Sequence, residues 1–346
     1  MNLAISFLKD NWQKLNLQHL GSPLRLSSVL LTPRFQASSH VVFIILPEDQ
    51  REPALVAKVS RLAGVSESLE REYANLRKIQ ASRSQGFDSI PHPVTLDDID
   101  GYPILVETAL VGQQMDPPTV RKAPLDCIES IFDWLLELQE ATSANGNSEP
   151  DWFERLVERP IRFFQETVPL DSEELNLIRE TQDLVGPLRN STLSLGFEHG
   201  DLSHPNVIRL KRGGPGILDW EQAEPRGFSI SDLFFFLAYV AFAKHGARER
   251  ANYLPAVQTA FFGKDAWARS YVREYASRTQ IPIPTLSPLF ALCWFKYLVT
   301  QLKRLSGAGN QNRGVGDEAI NWLRGNRYYR IWRYTIENID ALKWDT

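Results

Sequence analysis

The segment FEHGDLSHPN places Asp201 five residues before Asn206, and the downstream run GILDWE supplies a second aspartate, Asp219. These residue types suit phosphate chemistry. One carboxylate can take a proton from an attacking hydroxyl, while an amide oxygen and another carboxylate share a hard cation. The stretch NVIRLKRGGPGILDW reads as a β-hairpin closed by Gly213 and Gly214. Centring its turn there pairs residue n with roughly 426 minus n, which sets Asn206 and Val207 opposite Trp220 and Asp219, with cross-strand Cβ atoms about 5 Å apart. At that separation Asn206 and Asp219 can hold one Mg²⁺, an ion that takes one or two protein oxygens and completes its shell with phosphate and water.

The spacing His199-x-Asp201-x4-Asn206 matches the catalytic loop of protein kinases, in which the aspartate accepts the hydroxyl proton and the asparagine binds metal. On that template Asp219 bridges the β- and γ-phosphates through Mg²⁺. Two upstream residues complete the pattern. Lys58 stands mid-strand in ALVAKVS, where a lysine is costly unless it meets an anion. On the helix that follows, Leu69, Tyr73, Leu76 and Ile79 define an apolar arc that contains Glu72 but not Glu67 or Glu70. Glu72 is therefore the expected partner of Lys58, and the pair would orient the lysine on the α- and β-phosphates.

HGDLSHPN followed by ILDWE and then SDLFFF resembles the aminoglycoside phosphotransferase and choline kinase superfamily, over roughly Leu24 to Ala243. The resemblance implies a protein-kinase-like fold that uses ATP and Mg²⁺ to phosphorylate a hydroxyl of a small molecule. It implies Asp201 as the catalytic carboxylate, Asn206 and Asp219 as metal ligands, and Asp232 as a support that holds the catalytic loop. His199 is a packed anchor of that loop. One part departs from the pattern: TPRFQASSH, between the first two strands, lacks the glycines that relatives carry to approach phosphate, which leaves Ser38 and Ser39 as the candidate donors. The adenine edge should meet the connector after ILVET, through backbone groups of Glu107 and Ala109, or of Thr108 and Leu110 if the alignment is set on Gly112.

The elements that must position these residues are legible in outline. After an opening amphipathic helix, SSVLL, HVVFIIL and ALVAKVS alternate as antiparallel strands separated by breakers. Ser66 is the predicted N-cap of the helix to Gln80, and HPVTLDDIDGYPILVETAL gives two more strands around a turn at Asp98 to Gly101. From Ala123 the periodicity becomes helical, as in IESIFDWLLELQ, with the hairpin embedded in it. The predicted class is α+β, two-lobed. Residues 1–112 form a nucleotide-binding lobe of a leading helix, five antiparallel strands and one helix. Residues 113–346 form a mainly helical lobe with the catalytic hairpin and the acceptor site, and ATP is expected between the lobes.

Composition narrows the alternatives. At 346 residues, 43% hydrophobic and 23% charged, the chain is long enough for two packed units, and its net charge of −4 argues against a dedicated nucleic-acid binder. Cys127 and Cys293 sit apart in apolar helical segments, which suits buried thiols in a reducing, cytoplasmic setting. MNLAISFL has no basic flank and is not a signal peptide, and LFFFLAYVAFA is about half the ~20 residues a membrane span needs, so no membrane partner is expected. In NWLRGNRYYRIWRYTIEN, helical spacing makes Trp322, Tyr329 and Ile336 a core stripe with solvated arginines opposite. Arginines turned instead toward the acceptor would favour an anionic one. The competing class is a nucleotide-binding pseudokinase scaffold without turnover, which the missing glycines favour.

Overall fold

The opening amphipathic run forms α1 (Leu3–Asn11), and the three alternating runs form β1 (Leu26–Leu31), β2 (His40–Pro47) and β3 (Leu55–Ser60). Helix α2 (Glu67–Ala81) follows, then β4 (Pro93–Ile99), β5 (Tyr102–Thr108) and the short β6 (Gly112–Gln114). A computed structural model of the chain describes residues 2–32, 40–48, 50–143, 151–246, 252–308 and 317–344; Ser38 and Ser39 lie outside them. The first five strands make one antiparallel sheet in the order β1-β2-β3-β5-β4.

Alternation along the strands gives this sheet two working faces. Leu55, Ala57 and Val59 of β3 and Ile104 and Val106 of β5 join one core with Ala4, Phe7 and Leu8 of α1 and with Trp12. Lys58 and Glu107 have the opposite parity and share the other face, the side on which Glu72 of α2 meets Lys58. Ser66 stands before α2 as predicted, but its hydroxyl bonds the Glu70 carboxylate instead of capping a backbone N–H.

These elements, Met1–Gln114, form one compact unit together with Pro205–Ala223. The hairpin that sequence periodicity grouped with the helical lobe thus packs in the unit of the sheet: its strand Val207–Leu210 pairs with β6 on one side and with Pro215–Ile217 on the other. Gly213 and Gly214 close it at φ of 92° and 75°, a left-handed backbone that glycine adopts without steric cost.

The second unit is Met115–His204 with Glu224–Thr346. It contains α3 (Pro117–Lys122), α4 (Pro124–Thr142), α5 (Arg159–Thr167), α6 (Ser172–Val185), α7 (Ile230–Lys244), α8 (Tyr253–Val257), α9 (Ala268–Arg278), α10 (Leu286–Ala308), α11 (Asp317–Gly325) and α12 (Arg327–Glu337). Helix α7 is apolar on every side and buried from Ile230 to Ala243, as a central core helix must be. By length and hydropathy alone the stretch Ile283–Leu305 would suffice to cross a membrane, but 72% of its apolar window is buried inside the protein.

Candidate active site

In the first unit the chemistry is electrostatic. The Lys58 ammonium lies 2.5 Å from Glu72 Oε1 and 3.3 Å from Glu107 Oε1, and the three side chains are only 6%, 1% and 3% exposed. Burial alone would lower the Lys58 pKa, but the negative charges of Glu107, Glu72 and Asp219 raise it above its ordinary value. Glu72 is pushed up to about 7 by burial, against the pull of Lys58. Glu107 is raised as well, again chiefly by burial.

Helix α2 also fixes the segment that carries Asp219. Glu72 Oε1 accepts the Trp220 N–H at 3.0 Å, and Asn75 Nδ2 donates to the carbonyls of Trp220 and Ala223 at 3.0 and 2.9 Å. Asp219 itself is held at φ 66°, a strained backbone for a residue with a side chain, and strain of this kind clusters at functional positions. The hairpin register differs from the sequence expectation. Val207 faces Ile217 and Ile208 faces Gly216, so Asn206 comes opposite Leu218, whose N–H donates to the Asn206 carbonyl at 2.9 Å. The turn is centred one residue earlier than assumed, and Asp219 lies one residue past the Asn206 partner.

One cation thus stands among three carboxylates. Asp219 Oδ1, Glu72 Oε2 and Glu107 Oε2 are buried with no hydrogen-bond partner. Buried anionic oxygens without donors are costly, and a divalent cation beside Asp219 would relieve the excess charge. The donor set is all oxygen and suits Mg²⁺. Among the described residues no group of three or more His, Cys, Asp or Glu side chains is placed to hold a metal ion, so protein ligands would be few and phosphate oxygens would complete the shell.

At the connector, Glu107 lies inside β5 and turns its carboxylate onto Lys58, while the Ala109 N–H is already given to the Ala54 carbonyl at 2.9 Å. The Leu110 N–H has no such backbone partner among the described residues, which favours the alignment set on Gly112 for an adenine-edge donor.

In the second unit, Asp201 sits on a loop clamped from α7. Asp232 accepts the His199 N–H at 2.6 Å and the Gly200 N–H at 2.9 Å, one bond to each carboxylate oxygen. His199 is fully buried and its Nδ1 accepts the Asp201 N–H at 3.2 Å. Gly200 makes the intervening bend at φ 78°. Burial and the nearby Glu198 push the Asp232 carboxyl well above the usual range, while the two N–H bonds pull it down. Lys296 in turn holds Glu198, with Nζ 2.9 and 2.7 Å from its two oxygens. The Tyr297 hydroxyl donates to Asp201 Oδ1 at 3.0 Å, and burial together with the Asp201 charge keeps that phenol protonated.

Sequence reasoning missed three of these partners. Glu107 could have been found, because it interrupts an apolar strand just as Lys58 does. Tyr297 and Lys296 carried no local signal, since they come from α10, about a hundred residues downstream. The C-terminal stripe also needs correcting. A break at Gly325–Asn326 separates Trp322 from α12, whose core face is Tyr328, Tyr329, Ile331, Trp332 and Ile336. Arg324 pairs with the buried Glu174, and Arg327 lies among aromatic rings instead of facing solvent. Cys127 and Cys293 are buried and not joined in a disulfide, as expected.

The fold is that of protein-kinase-like phosphotransferases, with an antiparallel five-stranded sheet in one unit and helices dominating the other. The profile of the phosphotransferase enzyme family, APH, matches residues 33–272, and the chain belongs to that family. A thermostable mutant of aminoglycoside phosphotransferase APH(4)-Ia, in ternary complex with ADP and hygromycin B, is similar in fold at TM-score 0.53 and 12% identity, covering 93% of this chain and 98% of that one. Choline kinase LicA from Streptococcus pneumoniae is similar at TM-score 0.55 and 14% identity, covering 94% of this chain and 99% of that one. The Plasmodium vivax ethanolamine kinase gives 0.56 and 11%, covering 90% and 84%. No curated protein matches in sequence.

Proposed function

We propose that this protein transfers the γ-phosphoryl group of ATP to a hydroxyl of a small molecule. The observation that carries the proposal is the buried cluster of Lys58, Glu72, Glu107 and Asp219, with its partnerless carboxylate oxygens. Three such oxygens gathered around one ammonium leave room for a further cation or donor. The first unit then takes the nucleotide, with Lys58 on the α- and β-phosphates and the Leu110 N–H on the adenine edge. Asp219 and Asn206 would hold Mg²⁺, which when bound neutralises charge on the β- and γ-phosphates.

The second unit takes the acceptor. Asp201 accepts the proton of its hydroxyl, the oxygen forms a bond to the γ-phosphorus, and the bond to the β-phosphate oxygen breaks so that ADP leaves with the electron pair. Asp232 and His199 position Asp201 through the loop backbone, and Tyr297 orients its carboxylate. Two buried thiols suit a reducing, cytoplasmic setting.

Replacing Asp201 with Asn tests the assignment. Turnover should fall about 10²-fold or more, the scale of lost general-base catalysis, while Mg²⁺-dependent ATP binding persists. Full turnover in that variant refutes the role of Asp201. A wild-type protein that is stabilised by ATP yet phosphorylates nothing across a broad panel of hydroxyl compounds is the pseudokinase scaffold instead.

A further inference from the structure

The second unit contains a cation that its own carboxylates do not pair. Arg327 opens α12 and is half-buried, and among the described residues no acidic side chain meets it. Its Nη2 donates to the hydroxyls of Tyr239 and Tyr328 at 2.8 and 2.7 Å, whereas Nε and Nη1 have no hydrogen-bond partner there. The guanidinium carbon lies 4.6 Å from the ring centroid of Tyr253, 4.7 Å from Tyr328, 5.3 Å from Tyr239 and 5.7 Å from Phe242. Of the other arginines of the same segment, Arg324 is neutralised by Glu174 and Arg333 by Glu173 and Glu337, while Arg330 is exposed to solvent. The rings offset part of the cost of half-burying this cation, and an anionic ligand on the free Nε and Nη1 donors would offset more.

The phenols around Arg327 lead to Asp201. Tyr297, which donates to Asp201 Oδ1 at 3.0 Å, packs its ring 4.4 Å from that of Tyr328, and the Tyr328 hydroxyl is 2.6 Å from that of Tyr239. Tyr239 and Tyr328 each lie within electrostatic reach of both Arg327 and Asp201. The His204 ring stands 5.4 Å from Tyr239, and its buried Nδ1 has no partner. One aromatic wall therefore joins the carboxylate that would receive the hydroxyl to a positive group with donors to spare.

Resting on the phosphotransferase reading above, we infer that the acceptor is a hydroxy acid whose carboxylate binds Arg327 while its hydroxyl meets Asp201. A single guanidinium matches a single negative charge. The aromatic cage that would attract a choline-like ammonium is filled by the chain's own cation, and a second cation placed there is repelled.

Matched acceptors that differ only in the distant group test this. One series is 4-hydroxybutyrate, 1,4-butanediol and 4-amino-1-butanol; a second is glucuronate, glucose and glucosamine. Binding is measured calorimetrically in the presence of Mg²⁺ and a non-hydrolysable ATP analogue, and transfer is measured with ATP. The carboxylate member of at least one series should win by about tenfold or more, the scale of one charge-assisted hydrogen bond. Arg327→Met should abolish that preference through KM more than kcat, and Arg327→Lys should restore part of it. A preference below about twofold in both series, or one for the amine, overturns the inference even if the variants fail to fold, because the wild-type protein alone decides it. Absence of nucleotide binding in the acceptor-free titration instead overturns the phosphotransferase reading.

Discussion

Replacing Lys58 with Met removes the cation that, among the described residues, alone bonds Glu72 and Glu107, while keeping a side chain of similar length. All three groups are nearly inaccessible to water, so solvent screens the pair little. Removing one partner of a buried pair costs about 3–5 kcal/mol, because the other charge is left uncompensated. At roughly 2–4 °C per kcal/mol for a chain of this class, thermal denaturation near neutral pH should show a drop of about 6–20 °C. The pH dependence has a definite sign. Glu72 already titrates near 7 because of burial, and losing Lys58 raises its folded-state pKa further. A carboxyl whose folded pKa exceeds its unfolded one contributes stability that is present at low pH and lost as pH rises through the folded value. The deficit of Lys58→Met should therefore be small near about pH 5 and grow toward about pH 8. Adding Glu72→Gln and Glu107→Gln should recover much of the loss at the higher pH. A deficit below about 1 kcal/mol at the higher pH, or one that shrinks as pH rises, refutes the electrostatic account.

Asp219→Asn should abolish the thermal stabilisation by Mg²⁺ with ATP, which for the wild type at a hundredfold excess over Kd amounts to about 2.7 kcal/mol. An undiminished shift would remove Asp219 from the metal site. Asp232→Ala removes the acceptor of the N–H groups of the buried His199 and the half-buried Gly200; a loss of about 2–4 kcal/mol and faster hydrogen exchange at the Gly200 amide should follow. Unchanged exchange there would mean that the loop is held by something else.

The sequence determined the elements and the pairing of Lys58 with Glu72, because both follow from local periodicity. A lysine in an apolar strand needs an anion, and only one glutamate of α2 shares its buried face. The same parity argument reaches Glu107, which interrupts an apolar strand as Lys58 does and shares its face of the sheet. The hairpin was legible as a hairpin, but its register depended on where the turn closes, and a shift of two residues moved the Asn206 partner from Trp220 to Leu218. Only tertiary packing decided what surrounds Asp201 and Arg327. Tyr297, Tyr239 and Tyr328 come from three helices far apart in the chain, and residues on separate helices meet through packing that no single stretch encodes. Local hydrogen bonding and hydrophobic spacing are written along the chain, whereas the compensation of a buried charge depends on which side chains the whole fold brings within a few ångströms of it.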